Sequence, residues 1–168
     1  TSTFLHITTS KSILMSGSDG LAPPGPPSRF GLILYPRFEV LDVFGPIEAL
    51  NVIARPEFTL PLPVGEPLSL SIIASSLSPV PAMVQHDSRV KIQETVNPTH
   101  TFETAPDDIQ VLIVPGGIGD EGDDACAFIK ERFKSLRYLI TVCTGSNIAA
   151  KAGVLDGCHA TTNKKAWV

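Results

Sequence analysis

The 168-residue chain has few cysteines and no cluster of positive charge. Its three cysteines, Cys126, Cys143 and Cys158, contain no C-x-x-C pair, and this pattern suits neither a disulfide framework nor a zinc site. The 13 basic and 17 acidic residues give a net charge of −4, and no basic patch follows a phosphate backbone. We therefore expect no metal and no nucleic-acid partner, and the cysteine usage indicates a reducing, cytoplasmic location.

Long hydrophobic runs are also absent. The longest, such as residues 31–35, 111–115 and 138–143, have the length of single strands, far below the roughly 18 residues that cross a bilayer. We therefore expect no membrane partner. With 43% hydrophobic residues, the chain can bury the core of one globular domain.

The first 29 residues differ in composition from the rest. They are rich in Ser, Thr, Gly and Pro and end in the run Pro-Pro-Gly-Pro-Pro at 23–27. Such a composition buries too little apolar surface to order itself. The sequence predicts a flexible N-terminal arm over residues 1–29 and a folded domain over residues 30–168.

Within that domain, strand and helix patterns alternate. Strands are predicted at 30–35, 68–74, 111–114, 138–143 and 158–162, with weaker strand or hairpin character at 84–96. Helices are predicted at 40–55, 125–136 and 146–151. This alternation predicts an α/β domain, an open and mostly parallel sheet with helices on both faces, as in flavodoxin-like proteins.

Ligands of such sheets bind beyond the carboxyl ends of the strands, so Cys143 is the first candidate residue. It stands between an apolar strand and a helix, where backbone N–H groups and the helix dipole stabilise a thiolate. Gly145 allows a tight corner there, similar to a nucleophile elbow. The alternative is that Cys143 is a small buried apolar side chain.

Two further candidates follow other strands. Gly116 and Gly117 can offer backbone N–H groups to a developing negative charge, or they can simply end a strand with a turn. Asp42 has apolar neighbours that would desolvate its carboxyl group, which would suit a proton-transfer role if it faces Cys143. The alternative for Asp42 is an exposed helix N-cap.

Three ordered motifs resemble the ThiJ/PfpI superfamily, whose members share an amidotransferase-like fold. They are Tyr-Pro-Arg-Phe-Glu-Val-Leu-Asp-Val-Phe-Gly-Pro at 35–46, Val-Pro-Gly-Gly at 114–117, and Val-Cys-Thr-Gly-Ser-Asn at 142–147 followed by Ala-Thr-Thr at 160–162. The resemblance covers roughly residues 30 to 167. Within the superfamily it is strongest to the isonitrile hydratase branch, because Asp stands at 42 and Thr follows Cys143.

The resemblance implies an enzyme without a cofactor. It implies Cys143 as the nucleophile, Asp42 as its carboxyl partner, and the N–H groups of Gly117 and Thr144 around the reacting atom. The implied reaction is addition of the thiolate to the terminal carbon of an isonitrile, followed by hydrolysis to an N-substituted formamide.

The sequence also departs from the family pattern. Relatives often carry His after the Thr-Thr pair, whereas Asn163 stands here, so a Cys-His pair would require His159. Relatives also continue beyond the Asn-Lys-Lys-Ala-Trp region at 163–167, which implies a C-terminally truncated domain. A homodimer or higher oligomer would then cover exposed sheet surface.

Two other functions stay open from the sequence. The first is a glyoxalase that needs no cofactor and converts 2-oxoaldehydes to 2-hydroxy acids through a hemithioacetal on Cys143. The second is a non-catalytic or redox-sensing protein in which Cys143 is only oxidised. For both enzymatic functions, isonitrile hydratase and glyoxalase, the expected binding partner is a small electrophilic substrate.

Overall fold

The computed structural model describes residues 25–57, 68–82, 87, 89, 91–92, 94–118 and 122–166, together with the backbone of residues 5–9. The strands are β1 (Leu5–Thr9), β2 (Arg29–Ile33), β3 (Ser69–Ala74), β4 (Val80–Pro81), β5 (Thr95–Val96), β6 (His100–Thr101), β7 (Val111–Val114) and β8 (Tyr138–Val142). The helices are α1 (Val40–Ala54), α2 (Gly122–Arg132) and α3 (Gly145–Lys151), and Lys164–Ala166 forms a single 3₁₀ turn.

Six strands form one sheet in the order β1-β8-β7-β2-β3-β6. The five strands from β8 to β6 are parallel, and only β1 at the edge runs antiparallel to its neighbour β8. Strands β4 and β5 form a separate antiparallel pair. The predicted mostly parallel α/β sheet is confirmed.

The sheet is covered on both faces, as predicted. One face packs against α2 and α3 in a core cluster that includes Leu112, Ile129 and Ile148. The other face packs against α1 through Val43, which contacts a cluster that includes Leu32. All four residues of β7 are buried, as expected for a central parallel strand whose sequence is a continuous apolar run.

The strand order places a topological switch point at the centre of the sheet. From β2 the chain moves outward to β3 on one side and later returns to β7 on the other side. The connections from β2 and β7 therefore diverge above their carboxyl ends and leave a crevice between them. The segments that follow β2, β7 and β8 all meet there.

The structure differs from the sequence predictions at both ends of the chain. Leu5–Thr9, inside the predicted flexible arm, is an edge strand, because its apolar and β-branched residues complete a ladder on β8. The predicted strand at 158–162 is wrong. Residues 158–161 are exposed and pair with no strand among the described residues, since they cross the surface toward Cys143 after a turn at Gly157.

Part of the weak hairpin prediction at 84–96 lies outside the described residues; its end, Thr95–Val96, forms β5. Within the described ranges, no helix has the length and apolar character needed to cross a membrane.

Candidate functional site

A sharp corner at Cys143 connects β8 to α3. Cys143 has a φ of 54°, in the left-handed region that non-glycine residues rarely occupy. Such a conformation costs on the order of 1–3 kcal/mol, and it persists only where surrounding contacts enforce it. The predicted strand-to-helix corner is thus present. It leaves Cys143 half-buried.

Two hydroxyl groups hold the corner in place. Ser146 Oγ and Thr162 Oγ1 both donate hydrogen bonds to the carbonyl oxygen of Cys143, at 3.2 and 3.3 Å. Ser146 and Thr162 are both buried, so water does not compete strongly for these bonds. The segment after α3 therefore returns to brace the corner, although it forms no strand.

Removing one of these two hydrogen bonds should destabilise the backbone conformation at Cys143. We expect Thr162→Val to lower the free energy of unfolding by about 1 kcal/mol, the typical net value of one hydrogen bond, and to slow alkylation of Cys143 or make it heterogeneous. Thr161→Val is the matched control, because Thr161 is exposed. Chemical denaturation and peptide-resolved alkylation would measure both effects. Equal free energies of unfolding and equal alkylation rates in the two variants would contradict the proposed effect of the Thr162 hydrogen bond.

Asp42 lies in the first turn of α1 and is only 5% exposed. Its Oδ2 accepts a hydrogen bond from Gly116 N–H at 3.1 Å, and its carboxyl group is also hydrogen bonded to Cys143. The exposed N-cap alternative is therefore wrong, because the N-cap of α1 is Glu39. The structure brings Asp42 and Cys143 together from segments about 100 residues apart.

The surroundings of Asp42 favour its neutral form. Burial raises the pKa of Asp42 above its usual value, and the negative charge of Glu39 raises it further. The hydrogen bonds from Gly116 N–H and from Cys143 oppose this change, but desolvation is the largest effect. The carboxyl group is therefore able to hold a proton at a pH where an exposed aspartate has lost it.

The loop that leads into α1 is fixed to the segment after β7. Tyr35 Oη donates to the carbonyl oxygen of Pro115 at 2.9 Å, and Glu39 N–H donates to the carbonyl oxygen of Gly116 at 2.8 Å. Phe38 forms an antiparallel bridge with Gly117. These contacts set the position of α1, and with it Asp42, relative to the Cys143 corner.

Gly116 lies between the two reactive side chains. A Cβ atom on Gly116 would come within 2.7 Å of Asp42 Oδ2, 2.8 Å of Cys143 Cβ and 2.9 Å of Thr144 N. Real Cβ atoms do not approach other atoms so closely. Glycine at this position therefore allows Asp42 and Cys143 to approach one another across the backbone.

Two of the backbone N–H groups predicted to lie near the reacting atom, those of Gly116 and Gly117, have partners in this structure. Gly116 N–H donates to Asp42, and Gly117 N–H donates to Thr144 Oγ1 at 3.0 Å. The same Thr144 hydroxyl group donates to the carbonyl oxygen of Gly117 at 3.1 Å. Gly116 lies against Cys143, and Gly117 is joined to Thr144, the next residue along the chain. Stabilisation of an oxyanion by these N–H groups stays a prediction.

Sequence patterns assigned no role to Asn163, although it stands where relatives often carry His. Asn163 Nδ2 lies 3.1 Å from Cys143 Sγ and donates a hydrogen bond to it. His159, considered as a possible base, is exposed. The signal that could have found Asn163 is its position directly after the Thr-Thr pair, where relatives often carry His.

A groove elsewhere on the described structure contains neither candidate residue. A groove of about 470 Å³ lies along α2 and is lined in part by Phe102, Phe128 and Glu131, while Cys143 and Asp42 lie outside it. In the ranges that the structure describes, no three His, Cys, Asp or Glu side chains come together as a metal site.

The sheet and the site together define a class of protein. It is a doubly wound α/β domain in which a cysteine, at a strained corner after a parallel strand, contacts a buried carboxyl group at the switch point. The chain belongs to the DJ-1/PfpI family, which it matches over residues 29–167.

Two relatives make the similarity more specific. The chain is 32% identical to the isonitrile hydratase of Pseudomonas putida over an alignment of 139 residues, and the match covers 80% of this chain and 52% of that protein. It is 25% identical to a ThiJ/PfpI family protein from Pseudomonas syringae of known crystal structure. That match has a TM-score of 0.59 and covers 88% of this chain and 57% of the other. This chain thus spans about half the length of the relatives it matches.

Proposed function

We propose that this protein hydrates an isonitrile to an N-substituted formamide, with Cys143 as the nucleophile and Asp42 as the proton-transfer group. The observation that supports this proposal best is the contact between the thiol of half-buried Cys143 and the buried Asp42 carboxyl group. The 32% identity to an isonitrile hydratase supports the choice of substrate class.

The first step uses the proton that Asp42 and Cys143 share. Sγ bonds to the terminal carbon of the isonitrile, and the Asp42 carboxyl group gives its proton to the same carbon. The carbon–nitrogen triple bond becomes a double bond, and the product is a thioimidate on Cys143. The raised pKa of Asp42 supports this acid role, because the carboxyl group must be neutral when the sulfur attacks.

The second step releases the product. Water adds to the thioimidate carbon, and the Asp42 carboxylate accepts a proton from it. One proton of the water ends on the nitrogen, and the other returns to the pair of Asp42 and Cys143. The sulfur–carbon bond then breaks, its electron pair returns to the sulfur, and the N-substituted formamide leaves. We propose Gly117 and Thr144 N–H as donors to the oxygen in this step.

Product analysis tests this proposal against the glyoxalase alternative. The purified chain would be incubated separately with a simple alkyl isonitrile and with methylglyoxal, and NMR would follow the formyl group and lactate. We expect formamide from the isonitrile and no lactate. Lactate without formamide would establish the glyoxalase activity instead, and a folded chain that forms neither product would support a non-catalytic role.

The buried carboxyl group should also cost stability. Because the pKa of Asp42 is raised in the folded state, protonation favours folding. The stabilising effect of the proton is present at acidic pH and is lost as pH rises through the folded-state pKa. Asp42→Asn should therefore be more stable than the wild type near neutral pH, by about 1 kcal/mol, although it should lose turnover.

Urea denaturation between pH 4 and pH 8 would measure this effect. The stability advantage of Asp42→Asn should grow as pH rises and then level off. Asp156→Asn is the matched control, because it removes an exposed carboxylate. An Asp42→Asn variant that is less stable than the wild type at neutral pH would contradict the account of burial.

A further inference from the structure

The contact between Asn163 and Cys143 contributes to the reactivity of the site. The distance from Asn163 Nδ2 to Cys143 Sγ is 3.1 Å, short for a hydrogen bond from nitrogen to sulfur. Sulfur accepts hydrogen bonds strongly only as a thiolate, because the negative charge attracts the N–H group. The Asn163 amide is neutral, so it donates to the sulfur without supplying or accepting a proton.

The orientation of the Asn163 amide is determined by its other contact. Asn163 Oδ1 accepts a hydrogen bond from Lys165 N–H at 3.0 Å. A backbone N–H group requires an acceptor, so the oxygen of the amide must face Lys165 and the NH₂ group must face the sulfur. The carbonyl oxygen of Asn163 also accepts from Ala166 N–H at 2.9 Å, which closes the 3₁₀ turn. The turn therefore presents an N–H donor to Cys143.

We propose that Asn163 is a catalytic residue whose side-chain amide stabilises the Cys143 thiolate and directs the shared proton onto Asp42. The proposal rests on the proposed function only in taking Cys143 as the nucleophile. In this step the S–H bond breaks, its electron pair stays on the sulfur, and the proton moves to the Asp42 carboxylate. The negative charge moves from Asp42 to Cys143, where the Asn163 amide stabilises it by donating a hydrogen bond to the sulfur.

Among the residues that the structure describes near the sulfur, charged groups lie on α1 and on the segment after Thr162. Asp42 approaches from α1, with Glu39 beside it at the N-cap of that helix. Lys164 and Lys165 follow Asn163 and are exposed. The segment 111–117, from β7 to the two glycines, has no charged residue. The side-chain groups that the structure places in hydrogen-bond contact with Sγ are the Asp42 carboxyl group and the Asn163 amide.

Two substitutions separate the role at the sulfur from the role in the turn. Asn163→Asp keeps an oxygen for Lys165 N–H but places an acceptor, and a negative charge, beside the sulfur. Asn163→Ser can also cap the turn, but its side chain is too short to reach Sγ. Asn163→Ala removes both contacts. Because Asn163→Ser loses only the contact with the sulfur, the difference between these two variants measures the effect of the turn.

The test is the rate of Cys143 alkylation by iodoacetamide as a function of pH, in the full 168-residue chain. Peptide mass spectrometry would follow Cys143 separately from Cys126 and Cys158. We expect Asn163→Ser to slow alkylation at pH 7 about tenfold and to move the midpoint of the pH profile upward, as loss of one hydrogen bond to a charged group predicts. Asn163→Asp should show a larger effect in the same direction.

Wild-type pH profiles in both Asn163→Ser and Asn163→Asp would overturn the proposal. A slower rate confined to Asn163→Ala would also overturn it, because that result would assign Asn163 to the turn alone. Circular dichroism melting would establish that each variant is folded. The readout needs no isonitrile, so failure of the proposed hydration and failure of this inference are distinguishable.

Discussion

Replacement of Cys143 by alanine is expected to abolish turnover of an alkyl isonitrile. The rate should fall by at least about three orders of magnitude, because removal of a nucleophile leaves only the contribution of binding and of the remaining polar groups. Formation of the formyl group, followed by NMR under conditions where the wild type is active, would measure the loss. Thermal melting would establish that the variant remains folded.

Cys158→Ala is the matched control for this prediction. Cys158 is exposed on the surface segment that leads to Asn163. Its replacement should leave turnover at the wild-type rate. Full activity in Cys143→Ala, or equal losses in the two variants, would show that the chemistry lies elsewhere.

Gly145→Ala is expected to have the largest effect on stability. A Cβ atom at this position would collide with the carbonyl oxygen of Val114 and would lie 2.8 Å from the carbonyl oxygen of Pro115. Both obstacles are backbone atoms of the central strand β7 and its end, so they cannot rotate away. We expect a loss of about 2–4 kcal/mol in the free energy of unfolding, as for a strained core substitution, together with loss of Cys143 reactivity.

Gly45→Ala provides the comparison. Gly45 lies inside α1, directly before Pro46, and apart from its chain neighbours and the backbone of its own helix no atom of the described residues lies within 4 Å of the position of a Cβ atom. Alanine there should change the free energy of unfolding by less than about 1 kcal/mol, because its higher helix propensity is opposed by the clash between its Cβ and the ring of Pro46. Urea denaturation of the two variants would test both predictions. Similar stabilities for Gly145→Ala and the wild type would contradict the close approach of α3 to β7.

The parallel sheet could be predicted because its central strands have an unambiguous sequence. The run at 111–114 is apolar throughout and is buried throughout, since helices cover both faces of the sheet. Proline and glycine follow it at once and end the strand. The two-residue strands β4, β5 and β6 have no such signal, because one or two ladder bonds do not require an apolar pattern.

The face of α1 could not be predicted from its pattern. Leu41 and Phe44 recur at helical spacing, which correctly predicts a helix, yet they are 80% and 45% exposed. The buried residues of that helix are Asp42 and Val43. The reason is that α1 is oriented to bring Asp42 to Gly116 and Cys143, a contact between segments that are distant in the sequence.

The residues of the candidate site also divide into those that could be predicted from the sequence and one that could not. The sequence identified Cys143, Asp42, Gly116 and Gly145 because each follows a strand or has a residue type suited to a corner or to proton transfer. It assigned no role to Asn163, which is half-buried directly before a 3₁₀ turn and whose proposed role depends on one contact of 3.1 Å. Long-range contacts of this kind carry no periodicity in the sequence.

The most direct test of the central claim is the mass of the protein during turnover. The wild type would be mixed with an excess of ¹³C-labelled alkyl isonitrile, quenched rapidly and digested. Mass spectrometry would then measure the mass of the peptide that contains Cys143. The account predicts that this peptide gains the mass of one isonitrile, that the gain disappears as formamide is released, and that Asp42→Asn alters its build-up. Formamide that accumulates while Cys143 stays unmodified at every time point would contradict the account.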